Sequence, residues 1–445
     1  MEKNSGNEGL KRELGIIDIG VSVVNMTVGS GIFLLPALVA AILGNASIIA
    51  YLLCGLLYFC IMLCYAELSS RINHSGGTYV YIERAFGPFA GFIANNLFWL
   101  CGALISAALV NGIADMLSVP LPVFNKLFFR ILLFCLLIGF IGLSNIRGIK
   151  QGMRVVKLLT FLKLLPLVLL AIIGLFHLNW QNLTWTSLPS AGQLGTASLL
   201  LFAAFIGGES AATLGREMKN RRRTGPRGIL LGVFSVILFY ILIHLVAQSI
   251  LGDTLAAQKA PLATLAGSFA GNFGLQALIF CGIVSMLGCL YSMQMTFARV
   301  LFAGSFNGLF PSYLSKVHPK YATPHWSITT LCLMSLLMAC SGGYRQLIIV
   351  ATISMMLLFV GAVSALIRLK LKRDSASFTG FKLPGGIFIP TAAAIALCWF
   401  LFHSKKEEVF AVSVFIGVLT VIYLVRYFYT KRAPVVEVKP LVSDK

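Results

Sequence analysis

Charged residues are scarce in this sequence, and acidic residues are the scarcest of them. Asp, Glu, Lys and Arg together make up 11% of the 445 residues, with 15 acidic against 35 basic side chains. A soluble globular domain carries about 25% charged residues, so this composition excludes an ordinary soluble protein. Hydrophobic residues instead make up 58% of the chain, which is typical of a membrane protein with many spans.

Sequence motifs for enzymatic chemistry are also lacking. The chain contains no Walker phosphate loop, Rossmann fingerprint or nucleophile elbow, no CxxC pair, and no local His/Cys spacing typical of structural zinc. We therefore expect a protein that is not an enzyme and uses no cofactor or metal. The net charge of +20 could indicate a nucleic-acid partner. However, the basic residues cluster in short loops, and no soluble domain exists to bind nucleic acid.

Apolar runs recur along the whole chain. Crossing about 30 Å of hydrocarbon takes about 20 helical residues, and on this basis we predict an all-α polytopic membrane protein with twelve transmembrane helices. The predicted spans are 15–42, 46–69, 88–118, 127–146, 154–177, 194–214, 227–251, 274–303, 326–341, 346–369, 387–402 and 409–428. The predicted units are an N-terminal tail (1–14), two five-helix repeats (15–177 and 190–370), a final helix pair (385–430) and a C-terminal tail (431–445).

The distribution of basic residues predicts the orientation, because Lys and Arg that flank the spans stay preferentially on the cytoplasmic side. Most of them lie on the side of the two termini, and Lys163 lies inside a span. The basic residues on the opposite side are Lys126, Arg130, Lys259, Arg345, Lys405 and Lys406. Both termini are therefore predicted to be cytoplasmic, in a multi-pass protein of the cell inner membrane.

Two of the predicted spans are interrupted by glycines. The first contains Gly29, Ser30 and Gly31, and the sixth contains Gly207 and Gly208. A membrane helix satisfies its own backbone groups, so breaks at this depth are tolerated where the freed groups meet protein, water or a polar solute. Paired discontinuous helices, five spans apart, indicate a transporter built from an inverted repeat.

The backbone groups at these breaks suit a zwitterion. If one half-helix ends near Thr27 and the next begins at Phe33, the N–H groups around Ser30, Gly31 and Ile32 are free and lie at the positive end of a helix dipole, where a carboxylate binds. Free carbonyls suit an ammonium group; they are expected near Asn25, Met26, Thr27, Ala203, Phe205 and Ile206. The alternative interpretation is that the glycines only allow close helix packing.

Two ionisable residues are predicted to lie deep in the membrane, where charge is costly. Glu209 follows the second break and can gate the site, hold a proton or contact the substrate; a structural hydrogen bond is the alternative. Lys163 lies in the fifth span and can exchange a proton if it is desolvated, because burial favours its uncharged form. The alternative is that its side chain reaches towards the interface.

Several motifs resemble the amino acid-polyamine-organocation superfamily, in order along spans 1 to 10, whereas spans 11 and 12 match only in hydropathy. Besides the first break, the motifs are Tyr65-Ala66-Glu67-Leu68, Gly76-Gly77-Thr78-Tyr79, Phe86-Gly87-Pro88, Phe205-Ile206-Gly207-Gly208-Glu209, Lys219-Asn220-Arg221-Arg222, Ala298-Arg299-Val300-Leu301-Phe302, His318-Pro319 and Thr323-Pro324-His325-Trp326. The resemblance is nearest to bacterial amino acid permeases and the arginine/agmatine antiporter. It implies a LeuT-like five-plus-five inverted repeat that works by alternating access, with the substrate near the membrane midplane.

The resemblance also implies roles for individual residues. Ser30 and Gly31 would hold the substrate carboxylate, and the carbonyls of Thr27, Ala203 and Ile206 would hold its amino group. Glu209 would be the gating or proton-sensitive acid. Lys163 stands where several proton-dependent relatives carry a lysine in place of a sodium ion, which argues against sodium coupling.

Two departures from the arginine/agmatine antiporter bear on the substrate. That relative carries a tryptophan where this chain has Ala203 and a tyrosine where it has Phe98, and those rings stack on a guanidinium there. We therefore favour a neutral or broad range of amino acids. A basic amino acid/amine antiporter or a polyamine transporter is the alternative. The complete substrate-binding prediction is Thr27, Gly29, Ser30, Gly31, Ile32, Phe98, Phe202, Ala203, Ile206 and Glu209, with Lys163 and Glu209 for proton coupling.

Other classes of membrane protein fit the sequence less well. A receptor or scaffold has no need of paired broken helices, and a channel would show rings of polar residues along its pore. A light subunit of a heterodimer would carry an external cysteine before the fourth span, and residues 118–128 contain none. The expected partners are an amino acid, protons, the lipid bilayer and a second copy of the chain. The sequence leaves symport, exchange and uniport open, because they differ in the relative energies of the same states.

Overall fold

The computed structural model describes residues 15–72, 78–147, 153–184, 188–209, 221–306, 310–371 and 380–432. The predicted N-terminal tail, residues 433–445 of the C-terminal tail, and the motifs at Gly76-Gly77 and at 219–220 lie outside these ranges. So does the predicted continuation of the sixth span beyond Glu209. Within the described residues the chain is helical and contains no β-strand.

The described residues form fourteen α-helices. They are α1 (Ile16–Thr27), α2 (Gly31–Leu43), α3 (Ser47–Arg71), α4 (Thr78–Phe86), α5 (Pro88–Leu117), α6 (Leu127–Ile146), α7 (Met153–Leu175), α8 (Ala191–Phe202), α9 (Arg221–Leu251), α10 (Pro261–Phe306), α11 (His325–Ser341), α12 (Tyr344–Leu371), α13 (Phe388–Phe402) and α14 (Lys406–Arg432). The last helix therefore extends two residues into the predicted C-terminal tail.

Seven helical segments of the described chain are long and apolar enough to cross a membrane. They are Gly31–Arg71, Pro88–Leu117, Leu127–Ile146, Thr224–Ala257, Pro261–Ser305, Tyr344–Leu371 and Lys406–Val425. Five shorter apolar helices accompany them: Ile16–Thr27, Lys163–Leu175, Ala191–Phe205, His325–Ser341 and Phe388–Phe402. The protein is therefore a helical membrane protein with several spans.

The first helix break lies between α1 and α2. The N–H of Val28 still donates to the carbonyl of Val24, and the N–H of Gly29 turns back to the carbonyl of Thr27 at 2.9 Å. The new helix begins at Gly31, two residues earlier than the sequence prediction of Phe33. Only three residues thus separate the two half-helices, so the free groups of both ends lie close together.

The second break follows α8. A short 3-10 turn over Ala203–Phe205 ends the helix, and Ile206 is extended. Gly207 then adopts φ +137°, a conformation that side chains with a Cβ atom rarely adopt. The sequence signal of two adjacent glycines therefore coincides with the point where the backbone changes direction.

Small residues bring α9 against α1. A Cβ atom on Gly228 would approach the Cβ of Ile19 to 2.6 Å, and one on Gly232 would approach the carbonyl oxygen of Gly20 to 2.8 Å. Glycine at these positions lets the two helix backbones come close, as small residues do between membrane helices. This packing brings the side chains of α9 to the first break.

A buried carboxylate joins α3, α12 and the segment that precedes α13. Glu67, only 1% exposed, accepts the Arg71 guanidinium at 2.7 Å and the Lys370 ammonium at 3.0 Å. Its Oε2 atom also accepts the N–H of Leu383 at 2.9 Å. These partners offset the cost of burying the charge, and the network ties together one end of the bundle.

Candidate substrate site

The two helix breaks are in direct contact. A Cβ atom on Gly31 would meet the Cα of Ala204 at 2.7 Å, and a Cβ atom on Gly207 would meet the carbonyl oxygen of Met26 at 2.6 Å. The glycines therefore do serve close packing, as the alternative interpretation expected. The same contacts also bring the backbone groups of both breaks to one place in the interior.

One tyrosine bridges the breaks. The hydroxyl of Tyr240, on α9, lies 3.0 Å from the carbonyl oxygen of Thr27 and 3.0 Å from that of Ala204. Its ring is buried and packs against Phe205. The sequence analysis missed this residue. The signal that could have found it is a tyrosine in an apolar span, since a buried hydroxyl generally needs a partner.

The start of α2 has the geometry of an anion site. The N–H groups of Phe33 and Leu34 donate to the carbonyl of Ser30 at 3.1 Å, so those of Ser30, Gly31 and Ile32 precede the first bonds of the helix. The predicted residues for a carboxylate therefore stand together at a buried helix N-terminus. Tyr344 of α12, another residue that sequence reasoning missed, donates its hydroxyl to the Ser30 Oγ at 3.1 Å.

The end of α1 binds a protein ammonium group. Lys163 Nζ lies 2.6 Å from the carbonyl oxygen of Asn25 and 2.7 Å from that of Val28. The side chain is only 5% exposed, so it points into the bundle and does not reach towards the interface. Asn25 was one of the carbonyls that the sequence offered to a substrate ammonium, and its oxygen already accepts a hydrogen bond from this lysine.

The Glu209 side chain binds the backbone of the second break. Its Oε2 atom accepts the N–H of Gly207 at 2.9 Å, and the side chain is 5% exposed. The next N–H, that of Gly208, donates to the Tyr58 hydroxyl at 3.1 Å. The backbone groups of this break are therefore held by two side chains, one from the break and one from α3.

The predicted aromatic residues lie in two different surroundings. The ring of Phe98 on α5 packs edge-on against Phe297 of α10, with centroids 5.0 Å apart. The ring of Phe202 packs within a cluster of aromatic rings from α3, α12, α13 and its own break: Tyr58, Phe205, Phe359 and Phe400. Phe202 thus serves as packing behind the break.

Two further predicted residues belong to the turn of the second break. The N–H of Ile206 donates to the Ala203 carbonyl at 3.4 Å, which closes the 3-10 turn. Ala203 is partly exposed and Ile206 is buried. The break thus combines the small side chain of Ala203 with backbone carbonyls on either side of it.

Comparison with known proteins identifies the family. The family model described as amino acid permease matches residues 14–430, which includes both breaks and nearly the whole chain. The chain belongs to the amino acid permease family. This permease is thus a transporter, a class of protein that performs no enzymatic conversion.

Individual relatives agree with that assignment. The serine/threonine exchanger SteT of Bacillus subtilis is 28% identical over 397 residues, covering 87% of this permease and 90% of the relative. The branched-chain amino acid permease BcaP of the same organism is 27% identical over 419 residues, covering 89% of each chain. The methylthioribose transporter of B. subtilis is 24% identical over 457 residues, covering 97% and 96%. The first two relatives are named for amino acids and support amino acid transport, whereas the third is named for methylthioribose.

Replacing Tyr240 with phenylalanine is expected to loosen the contact between the breaks. The change removes the donor shared by the carbonyls of Thr27 and Ala204. The Thr27 carbonyl keeps the N–H of Gly29, whereas a buried carbonyl left unsatisfied at Ala204 costs about 1–3 kcal/mol. We expect a lower thermal stability in detergent and slower transport. Tyr291→Phe is the matched control, because the Tyr291 hydroxyl has no hydrogen-bond partner within the described residues. Equal effects of the two changes would contradict the bridging role.

Proposed function

We propose that this permease is a secondary active transporter of neutral amino acids across the cell inner membrane. The observation that carries the proposal is the buried start of α2. There the N–H groups of Ser30, Gly31 and Ile32 precede the first hydrogen bonds of the helix. Helix N-termini bind carboxylates through such groups and through the helix dipole. The substrate carboxylate binds there.

The amino group of the substrate binds at the second break. The carbonyl of Ala204 accepts the Tyr240 hydroxyl and that of Ala203 accepts the N–H of Ile206. The Thr27 carbonyl already accepts the Gly29 N–H and the Tyr240 hydroxyl. Carbonyl oxygens have two lone pairs, so Ala203 keeps the capacity to accept an ammonium group, and Ile206 adds a second carbonyl. The two charged ends of an α-amino acid are thereby bound by backbone groups, which recognise any amino acid alike.

Side-chain selectivity then depends on the residues around the breaks. Ala203, at the second break, leaves room for an apolar side chain. Phe98 of α5, the other residue predicted to set selectivity, packs its apolar ring against Phe297. Neither provides a carboxylate that would stabilise a cationic side chain. For this reason we favour a neutral amino acid over arginine, agmatine or a polyamine.

The proposed architecture is that of twelve spans in two inverted five-helix repeats followed by two helices. Both termini are cytoplasmic in this arrangement, as the distribution of basic residues predicts. Transport proceeds by alternating access around the paired breaks. Lys163 binds the carbonyls at the end of α1 when protonated, which gives the transporter a place to couple a proton to substrate movement, and Glu209 is the second candidate for this proton.

Uptake into proteoliposomes tests the proposal. A panel of labelled neutral, basic and acidic amino acids and a polyamine is offered with and without a pH gradient, and with and without amino acid inside. We expect uptake of neutral amino acids; stimulation by the pH gradient indicates proton coupling and stimulation by internal amino acid indicates exchange. Failure to transport any amino acid contradicts the proposal, and sodium-dependent uptake contradicts the role of Lys163.

A further inference from the structure

A cavity of about 590 Å³ opens between α2, α5, α12 and the segment before α10. Leu34 and Leu38 of α2 form its apolar wall, and Asp115, Lys259 and Arg345 bring charged groups to it. This volume lies within the range of about 300–1,000 Å³ that small-molecule sites occupy. The cavity is separate from the breaks and contains none of the residues predicted to bind substrate.

The charges around this cavity are predominantly positive. Asp115 is neutralised by Arg130, whose guanidinium lies 2.8 Å from the carboxylate and also donates to the Asn111 side chain at 3.1 Å. Lys259 donates to the neutral side chain of Asn125 at 3.1 Å. Neither Lys259 nor Arg345 forms an ion pair with another described residue. Two cationic groups at the cavity are therefore available to an anion.

The preference of Lys and Arg for the cytoplasmic side of the membrane does not explain the basic residues at the cavity. Arg130, Lys259 and Arg345 belong to the small group predicted to lie on the outer side of the membrane, where basic residues are disfavoured near the spans. All three nevertheless converge on this cavity, Arg130 through its pair with Asp115. A ligand with a negative group gives them a role.

A layer one side chain thick separates the cavity from the start of α2. Tyr344 lines the cavity and also donates its hydroxyl to Ser30 Oγ. Leu34 and Tyr344 pack side by side on α5, where a Cβ atom on Gly112 would meet them at 2.8 and 3.3 Å. A molecule in the cavity therefore lies next to Tyr344, whose hydroxyl contacts the helix N-terminus proposed to bind the substrate carboxylate.

We propose that this cavity is an outer binding site for the amino acid substrate, in which Lys259 and Arg345 bind its carboxylate and the Leu34–Leu38 wall receives an apolar side chain. A cleft with charge of one sign attracts the opposite sign and repels its own. The site therefore also disfavours cationic amino acids and polyamines before they reach the breaks. This inference rests on the proposed transport of amino acids.

Kinetics measured separately on the two sides of the membrane test the outer site. The variants are Lys259→Gln, Arg345→Gln and the double change, with Lys405→Gln as the control for an exposed outer lysine away from the cavity. In the double variant we expect the KM for external neutral amino acid to rise about fivefold, since charge-assisted hydrogen bonds to the carboxylate are lost. The KM for internal substrate should stay unchanged, and external arginine should compete more strongly.

The outcomes separate this inference from the proposal on which it rests. An unchanged external KM, equal changes on both sides, or the same effect from Lys405→Gln would overturn the outer site while leaving amino acid transport intact. A wild-type protein without amino acid flux would instead reject the proposed function. A second readout is ionic strength: external KM should rise with added salt in the wild type and respond less in the double variant.

Discussion

Gly207→Ala is expected to reduce transport at least tenfold. Gly207 adopts φ +137°, where a residue with a Cβ atom is strained by about 1–3 kcal/mol. The new methyl group would also lie 2.6 Å from the carbonyl oxygen of Met26 and 3.2 Å from the Cα of Thr27. Both neighbours are backbone atoms of the first break, so relief of the contact requires the two breaks to move apart.

This variant is tested by measuring both its thermal stability and its rate of amino acid uptake. We expect a folded protein with a lower melting temperature in detergent and uptake reduced at least tenfold in proteoliposomes. Gly288→Ala is the matched control, because a Cβ atom there meets nothing within 4 Å and alanine favours the helix. Wild-type uptake by Gly207→Ala would show that the separation of the breaks does not matter for transport.

The helix breaks could be predicted from sequence because their signal is local. Glycines at Gly29, Gly31 and Gly207 interrupt apolar runs that otherwise satisfy their own backbone groups. The end of α1 was predicted at the right residue, Thr27, whereas the start of α2 was placed two residues late. The sequence prediction leaves Gly31 and Ile32 outside the second half-helix, whereas both lie in its first turn.

The partners of the breaks could not be predicted, because hydropathy treats each span separately. Tyr240 lies 213 residues from Thr27 and Tyr344 lies 314 residues from Ser30. The residues adjacent to each tyrosine in the sequence do not indicate which helix accepts the hydrogen bond from its hydroxyl. Lys163 shows the same limit: its depth was predictable, but its acceptors at Asn25 and Val28 depend on how α7 packs against the end of α1.

From the sequence, only Ala203 and Phe98 indicate which amino acid side chains the transporter accepts. The proposed outer site adds a second determinant, since Lys259 and Arg345 line a cavity whose Tyr344 donates its hydroxyl to Ser30. In the proposed transporter, backbone groups at the breaks bind the zwitterionic head of any amino acid, whereas the charge at the proposed outer site distinguishes cationic from neutral solutes. Both proposed features favour a neutral substrate.

Lys163→Met is expected to remove the dependence of transport on pH. Methionine fills much of the lysine volume but donates no hydrogen bonds, so the carbonyls of Asn25 and Val28 lose their ammonium partner. Under the proposed coupling, protonation of Lys163 strengthens these bonds and loss of the proton weakens them. Uptake should therefore rise in the wild type as the external pH falls, and in Lys163→Met it should be at least tenfold lower and independent of pH.

A second variant separates the loss of a proton site from the loss of packing. Lys163→Arg keeps hydrogen-bond donors at the end of α1 but cannot release its proton in a protein. It should retain substrate binding, measured by thermal stabilisation with the transported amino acid, yet fail to cycle. Lys405→Met controls for removal of an exposed lysine. If Lys163→Met kept the wild-type response to pH, the coupling proton would have to reside elsewhere, and Glu209, bonded to the N–H of Gly207, would be the next residue to replace.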